Sequence, residues 1–483
     1  MSAPSTIPSP GQEAAGGAPQ PARVLSAIDA GCVVVGAIIG VGIFFTPASV
    51  ARITESASLA LLAWVIAGLI ALCGGLVFAE LGARYNAPGA QYGVLRAAYG
   101  PFTAFLYVFC NSTVMEAGSI GAMAMICARN LVAAADRPPL DEPTLAVLSS
   151  FLIAAVITAN VVGVRWGSRI QNLTVFSKVL TLCAVIALAL FLAPDASTTP
   201  APSAAQSVAA TQKSAFLLLL AALVPTFFSY GGFQQGLWIA GEVKDPRRNL
   251  PRAILGGVIL VVIVYVAANW AYLRLLGVDK VAASETLASD AVSVVYPDYA
   301  PRVMAAAVAV SAFGVLNAQF LSAPRLLFGM ARDRLFFRPF AQLNPRFGTP
   351  AAAIWLMGGL SYLVLWGTIA AKSYSASLAS AVDLIINGVM AFDGLFFAAT
   401  GAALFIFRAR ENRDGMSRFS GFRVPALPAI GGVFVLGTLG VVAGSFVDDA
   451  TRFAAFVGLS YILFAAVIYY AYFRKIAHAD SAA

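Results

Sequence analysis

Four charged side chains interrupt stretches that are otherwise apolar: Glu116, Lys178, Arg325 and Asp393. A charge at bilayer depth costs at least about 2.5 kcal/mol, so each needs a purpose such as pairing, ion replacement, proton uptake or ligand binding. Two further groups offer chemistry without charge. Gly36, Gly40 and Gly42 fall in one apolar stretch, and Gly231, Gly232 and Gly236 in another. A helix that unwinds there leaves amides and carbonyls unpaired, each costing on the order of several kcal/mol in lipid until something satisfies it. A ligand with two opposite charges satisfies both kinds. Its carboxylate suits free N–H groups at the start of a half-helix, where the dipole is positive, and its ammonium suits the carbonyls that end the preceding half. Amino acids carry that pair of groups, and no charged side chain lies beside either glycine cluster.

Other chemistries lack residues. The only histidine, His478, is near the C-terminus, so neither histidine-based proteolysis nor a histidine-ligated metal has a residue to use. Asp393 precedes Gly394 but lacks the GxGD arrangement of presenilin-like proteases. The five cysteines, Cys32, Cys73, Cys110, Cys127 and Cys183, lie in apolar stretches without CxxC spacing and read as packing residues. No enzyme, cofactor or metal site is expected.

The elements that must position these residues are membrane helices. Of 483 residues 60% are hydrophobic and 11% charged, with mean hydropathy +0.82, far from a soluble domain. Twelve apolar runs of roughly 20 residues, each enough to cross the hydrocarbon, begin near 25, 57, 92, 143, 171, 215, 251, 300, 350, 378, 426 and 452. In lipid such runs are helices. The net charge of +8 is topology rather than nucleic-acid binding. With the N-terminus inside, twenty of the 31 Lys and Arg fall on the cytoplasmic side and nine outside, and both termini are cytoplasmic. The chain is expected to be a multi-pass protein of the cell inner membrane.

Residues 1–22 and 477–483 read as cytoplasmic tails around one membrane domain, 23–476. Neither the Pro/Ser/Thr/Ala segment 194–212, placed outside, nor the basic segment 408–425, placed inside, holds a soluble domain. The glycine clusters fall five spans apart, in spans 1 and 6, as the broken helices of two inverted repeats would. Pro47 after Gly40–Phe44, and Pro225 before Phe227–Gly232, add breaks in the helical hydrogen bonding. A channel would line itself with polarity continuously, whereas here polarity gathers at these two turns.

The run Ala37-Ile38-Ile39-Gly40-Val41-Gly42-Ile43-Phe44 resembles the first helix of the amino acid-polyamine-organocation superfamily. Residues 78–107, FAELGARYNAPGAQYGVLRAAYGPFTAFLY, resemble the second-to-third-helix signature of its bacterial permeases, and 242–254, EVKDPRRNLPRAI, the segment after its sixth helix. The likeness is closest to the L-type amino acid transporter branch. It implies an all-α membrane protein of twelve helices in the five-plus-five inverted-repeat fold of the bacterial leucine transporter. Helices 1 and 6 are discontinuous. Repeat 1 covers about 25–193, repeat 2 about 213–408, and helices 11 and 12 about 426–475.

The resemblance further implies a carboxylate held by the backbone of Gly40, Val41 and Gly42, and an ammonium held by the carbonyls of Ile38, Phe228 and Gly231, with Ser229 and Gly232 completing the site. Phe228 would also gate it. Val41 stands where the family usually has serine, so a hydroxyl contact is missing. Lys178 matches a helix 5 lysine of sodium-independent relatives, whose ammonium replaces an ion; the competing reading is a lysine snorkelling to the cytoplasmic surface near Arg169. Removal of the Lys178 amine should impair transport.

Glu116 and Asp393 match no family position. Each either takes up a proton or holds a cationic side chain, as gating or coupling residues, or makes a buried hydrogen bond with Arg325 or Asn317. Glu80, Arg84, Glu242 and Asp245 are expected in ion pairs at the cytoplasmic gate. The implied function is sodium-independent transport of amino acids, neutral ones first, by exchange or proton symport. The alternatives are a cationic amino acid or polyamine carrier and a non-transporting amino acid sensor. L-type members pair with a heavy chain through a cysteine after span 3; the loop 133–142 has none, so a monomer without such a partner is expected.

Overall fold

The computed structural model describes residues 20–192, 215–413, 419–447 and 449–474. Most of the expected tails, the 194–212 segment, His478 and part of the basic 408–425 segment lie outside the described residues. Among those described, all regular structure is helical, and a lone bridge between Leu25 and Val243 is the only strand-like pairing.

In chain order the helices are α1 (Ala27–Ile38), α2 (Gly42–Thr54), α3 (Ala57–Arg84), α4 (Ala90–Tyr99), α5 (Pro101–Cys110), a π-helical turn Asn111–Met115, and α6 (Glu116–Ala134). There follow α7 (Glu142–Val162), α8 (Val164–Phe191), α9 (Ala215–Ser229), α10 (Gln235–Trp238), α11 (Pro246–Leu276), α12 (Val278–Ala283) and α13 (Leu287–Ser293). The last are α14 (Ala300–Ser322), α15 (Pro324–Arg332), α16 (Ala351–Tyr374), α17 (Ala376–Arg413), α18 (Leu427–Val447) and α19 (Asp449–Ile468).

Local chemistry sets several of these boundaries. Ser26 caps α1 in a capping box, accepting from the Asp29 amide at 3.2 Å while its own amide donates to Asp29 at 2.8 Å. Ser56 and Asp141 cap α3 and α7. Gly100, at φ +91°, ends α4, and Pro101 starts the next helix at its first position.

That last junction corrects the third expected span. The run starting near 92 is two helices, and the membrane-length helix begins at Pro101. Hydropathy merges them because α4 carries only two strongly polar side chains, Gln91 and Arg96, among alanine, tyrosine, Val94 and Leu95. The fifth span likewise begins at Val164 rather than 171, because the polar turns carrying Arg165, Arg169 and Gln171 extend the helix past its apolar stretch.

Among the described residues nine helices are long and apolar enough to cross a membrane, and α1 with α2, bent by 41°, form a tenth span. The expected twelve would also need α17 and the short α9, fifteen residues ending at a break. The two prolines sit differently from the expectation. Pro47 lies inside α2 and Pro225 inside α9, so the chain opens at Ile39–Val41 and Tyr230–Gln234, on the glycine side of each. A helix tolerates the missing N–H there; it is the glycines that let the backbone turn.

The core forms where α1 packs against α8, α11 and α14, α3 against α9 and α11, and α6 against α14 and α16. The two breaks face each other at its centre.

Candidate functional site

At the first break the Gly40 amide turns back to the Ile38 carbonyl at 2.8 Å. The next three amides, of Val41, Gly42 and Ile43, have no acceptor among the described residues, and they open α2. Three free N–H groups at a half-helix N-terminus are donors of the kind that bind an anion without any basic side chain. The expected carboxylate residues Gly40, Val41 and Gly42 therefore lie together, but the free donors are shifted by one, and Ile43 was not anticipated. Which amide is used locally is decided by the tightness of the turn, which one chain of letters does not carry.

The second break lies against the first. Gly232 has φ +121°, and a Cβ added to it would fall 2.6 Å from the Ala37 carbonyl carbon and 2.8 Å from the Ile38 amide. Backbone meets backbone there, so only glycine fits. Ser229 faces Gly42, its hydroxyl 3.6 Å from where a Gly42 Cβ would stand, while donating to the Pro225 carbonyl at 3.1 Å.

Of the three carbonyls expected to receive an ammonium, that of Ile38 already accepts from the Tyr265 hydroxyl at 2.9 Å and from Gly40. Phe228 O accepts from the Gly231 amide at 3.0 Å, and Gly231 O has no donor among the described residues. The Phe228 ring is 54% exposed, so it does not cover the site in this structure.

Lys178 does not snorkel. It is 2% exposed, and its ammonium donates to the carbonyls of Ile39 at 2.7 Å and Gly36 at 3.1 Å, both on the first broken span. It lies against Gly314 of α14, where a Cβ would stand 2.9 Å from Nζ. The amine thus joins α1, α8 and α14 with carbonyl ligands alone, as a bound cation would, and without a carboxylate partner among the described residues.

Glu116 and Asp393 do not take the expected partners. Arg325 pairs with Glu242, Nε to Oε1 at 3.0 Å and Nη2 to Oε2 at 3.3 Å, both side chains fully buried. Asn317 bonds Gln171 and the Gly167 carbonyl, each at 2.9 Å, and receives from Asn160 at 3.1 Å. Glu116 is buried beside Gln319, directly after the π turn, and its Oε2 has no partner among the described residues. Asp393 is half-buried on α17.

Of the four residues expected in ion pairs at the cytoplasmic gate, Glu80, Arg84 and Glu242 make ion pairs. Glu80 accepts from Arg84 and Arg408, Arg84 also reaches Glu411, and Glu411 accepts from Arg423 at 3.2 Å. Asp245, by contrast, makes no ion pair among the described residues and begins α11 in a left-handed conformation, φ +42°. The same end of the bundle is closed by backbone bonds: Leu25 N to Glu242 O and Lys244 N to Leu25 O, each 2.9 Å.

Sequence reading weighed charges and glycines and passed over amides. Gln91 accepts from Tyr107 and Trp238, each at 2.8 Å, and donates to Thr400 at 3.0 Å, joining α4, α5, α10 and α17. A glutamine in an apolar run is a quiet signal, but in lipid its four hydrogen-bonding positions require partners.

Two broken helices that meet backbone to backbone, with free amides on one and a buried amine bridging the neighbouring spans, define a secondary transporter of the inverted-repeat class. The solved structure of a Na+-coupled sialic acid symporter in a substrate-bound outward-open state shares the fold, with TM-score 0.52 over 87% of this chain and 89% of that one at 15% identity. The chain belongs to the amino acid permease family, which matches residues 25–473. It is 26% identical to the serine/threonine exchanger SteT of Bacillus subtilis over 86% of this chain and 89% of that protein. It is 32% identical to the mouse b(0,+)-type amino acid transporter 1, covering 69% and 68%, and 29% identical to the mouse large neutral amino acids transporter small subunit 2, covering 84% and 75%. It is a transporter and not an enzyme.

Proposed function

We propose that this protein exchanges amino acids across the cell inner membrane without sodium, by alternating access around the two broken helices. The observation that carries the reading is the trio of amides at Val41, Gly42 and Ile43 that have no acceptor among the described residues, facing the second break across Gly42 and Ser229. A carboxylate satisfies them, and the Gly231 carbonyl offers the ammonium a first acceptor. That the Bacillus subtilis relative is an exchanger supports exchange over one-way uptake.

Sodium independence is supported by the Lys178 amine, which holds the carbonyls of Gly36 and Ile39 that a cation would otherwise hold. The bonds of Leu25 to Glu242 and Lys244, and of Arg325 to Glu242, support a closed end of the pathway, and the bias of loop charges supports reading it as the cytoplasmic one. Twelve spans, two cytoplasmic termini and a monomer without a disulfide-linked heavy chain complete the reading.

Counterflow into liposomes of purified protein tests it. Labelled amino acid should accumulate only when unlabelled amino acid is inside, equally in sodium and choline buffers. Uptake that instead follows an imposed proton gradient into empty vesicles would replace exchange by symport, and dependence on sodium would overturn the role given to Lys178.

A further inference from the structure

The helix that carries Glu116 is not α-helical throughout. At Asn111–Met115 it opens into a π turn, where the Glu116 amide bonds to the Asn111 carbonyl. Such turns cost helical regularity and persist mostly at functional sites. Asn111 therefore lies one turn from Glu116, and Ser112 four residues from it, on the same side. All three are buried, 3%, 0% and 8% exposed, and Asn111 Oδ1, Ser112 Oγ and Glu116 Oε2 have no hydrogen-bond partner among the described residues. Gln319 of α14 closes the group. Its Nε2 donates to Ser119 at 2.7 Å, and its buried Oε1 is also unbonded. Asp393, on the helix that packs against the π turn, lies within electrostatic reach of Glu116.

Every unsatisfied atom here accepts a hydrogen bond, the Ser112 hydroxyl in either sense. One proton on Glu116 would serve a single neighbour and leave the others bare. An ammonium brings three donors and a guanidinium five, with the charge that two carboxylates lack. The place is also right. Gly40 meets Val315, 3.3 Å from where its Cβ would stand, and Gln319 is one helical turn, about 5.4 Å, further along α14. A lysine or arginine stem covers that distance from an α-carbon held at the break.

We propose that Asn111, Ser112, Glu116, Gln319 and Asp393 form a subsite for the cationic end of the substrate side chain, so that amino acids bearing an ammonium or guanidinium are preferred cargo. This rests on the exchange reading above. Arginine and citrulline have the same length and shape and differ in charge, so they isolate the subsite. Each is titrated as a competitor against a labelled amino acid that the purified protein exchanges in liposomes. Arginine should inhibit at concentrations about tenfold to a hundredfold below citrulline, as expected for charge-assisted bonds to a buried carboxylate. In Glu116→Gln the ratio should fall toward one. Citrulline equal to or better than arginine in the wild type overturns the proposal, whatever the variants do, as does a Glu116→Gln ratio that stays where it was. If Glu116→Gln does not fold, Asp393→Asn is read in the same way. A protein that exchanges no amino acid at all would instead remove the transport reading itself.

Discussion

Lys178 on α8 and Glu116 on α6 are buried charges two spans apart along the chain, and they are treated in opposite ways. The amine of Lys178 reaches two carbonyls, at 2.7 and 3.1 Å, and has glycine opposite to make room for it. The carboxylate of Glu116 keeps one oxygen unbonded among further unbonded acceptors. A charge whose bonds are made within the protein is structural, because its energy is already committed. A charge whose bonds are unmade is available to something that arrives. The same reasoning puts Arg325, paired with Glu242, among the structural charges.

Breaking the fully paired charge should cost most. Arg325→Met leaves Glu242 buried and alone, and should lower unfolding stability in detergent by about 3–5 kcal/mol, read from thermal denaturation. Lys178→Ala comes next. It strips a charged donor from the Gly36 and Ile39 carbonyls and should lose about 1.5–3 kcal/mol of stability together with most exchange activity. Undiminished counterflow by a well-folded Lys178→Ala protein would falsify the ion-replacing role. Glu116→Gln should move stability least, by under about 1 kcal/mol, because few bonds are lost with the charge. A loss as large as that for Arg325 would mean that Glu116 is structural after all, and the contrast between the two charges would collapse.

Much of this was legible in the sequence. Gly40, Gly42, Gly231 and Gly232 marked both breaks because lipid makes unwound backbone conspicuous, and five-span spacing made them a pair. Lys178 was singled out through its match to related transporters, and the structure puts its amine on the Gly36 and Ile39 carbonyls of the first broken span. What escaped was local. The α4 helix hid inside an apolar run, because Gly100-Pro101 splits it by a backbone angle and not by polarity. The partner of Arg325 was misjudged because Glu242 is 83 residues away in sequence and meets it only in the folded bundle. The π turn left no signal, since one extra residue per turn changes no composition.

The Leu25–Val243 bridge also has a consequence for how this protein is dissected. Its two bonds run from Leu25 N to Glu242 O and from Lys244 N to Leu25 O, wholly through main chain. No side-chain truncation reaches them, so an alanine scan would pass over the closure as though it were absent. Only an imino acid deletes the donors. Proline at 25 or at 244 is therefore the genetic handle on this bridge, and a collection of variants without it is blind to a main-chain contact between the segment before α1 and the segment before α11.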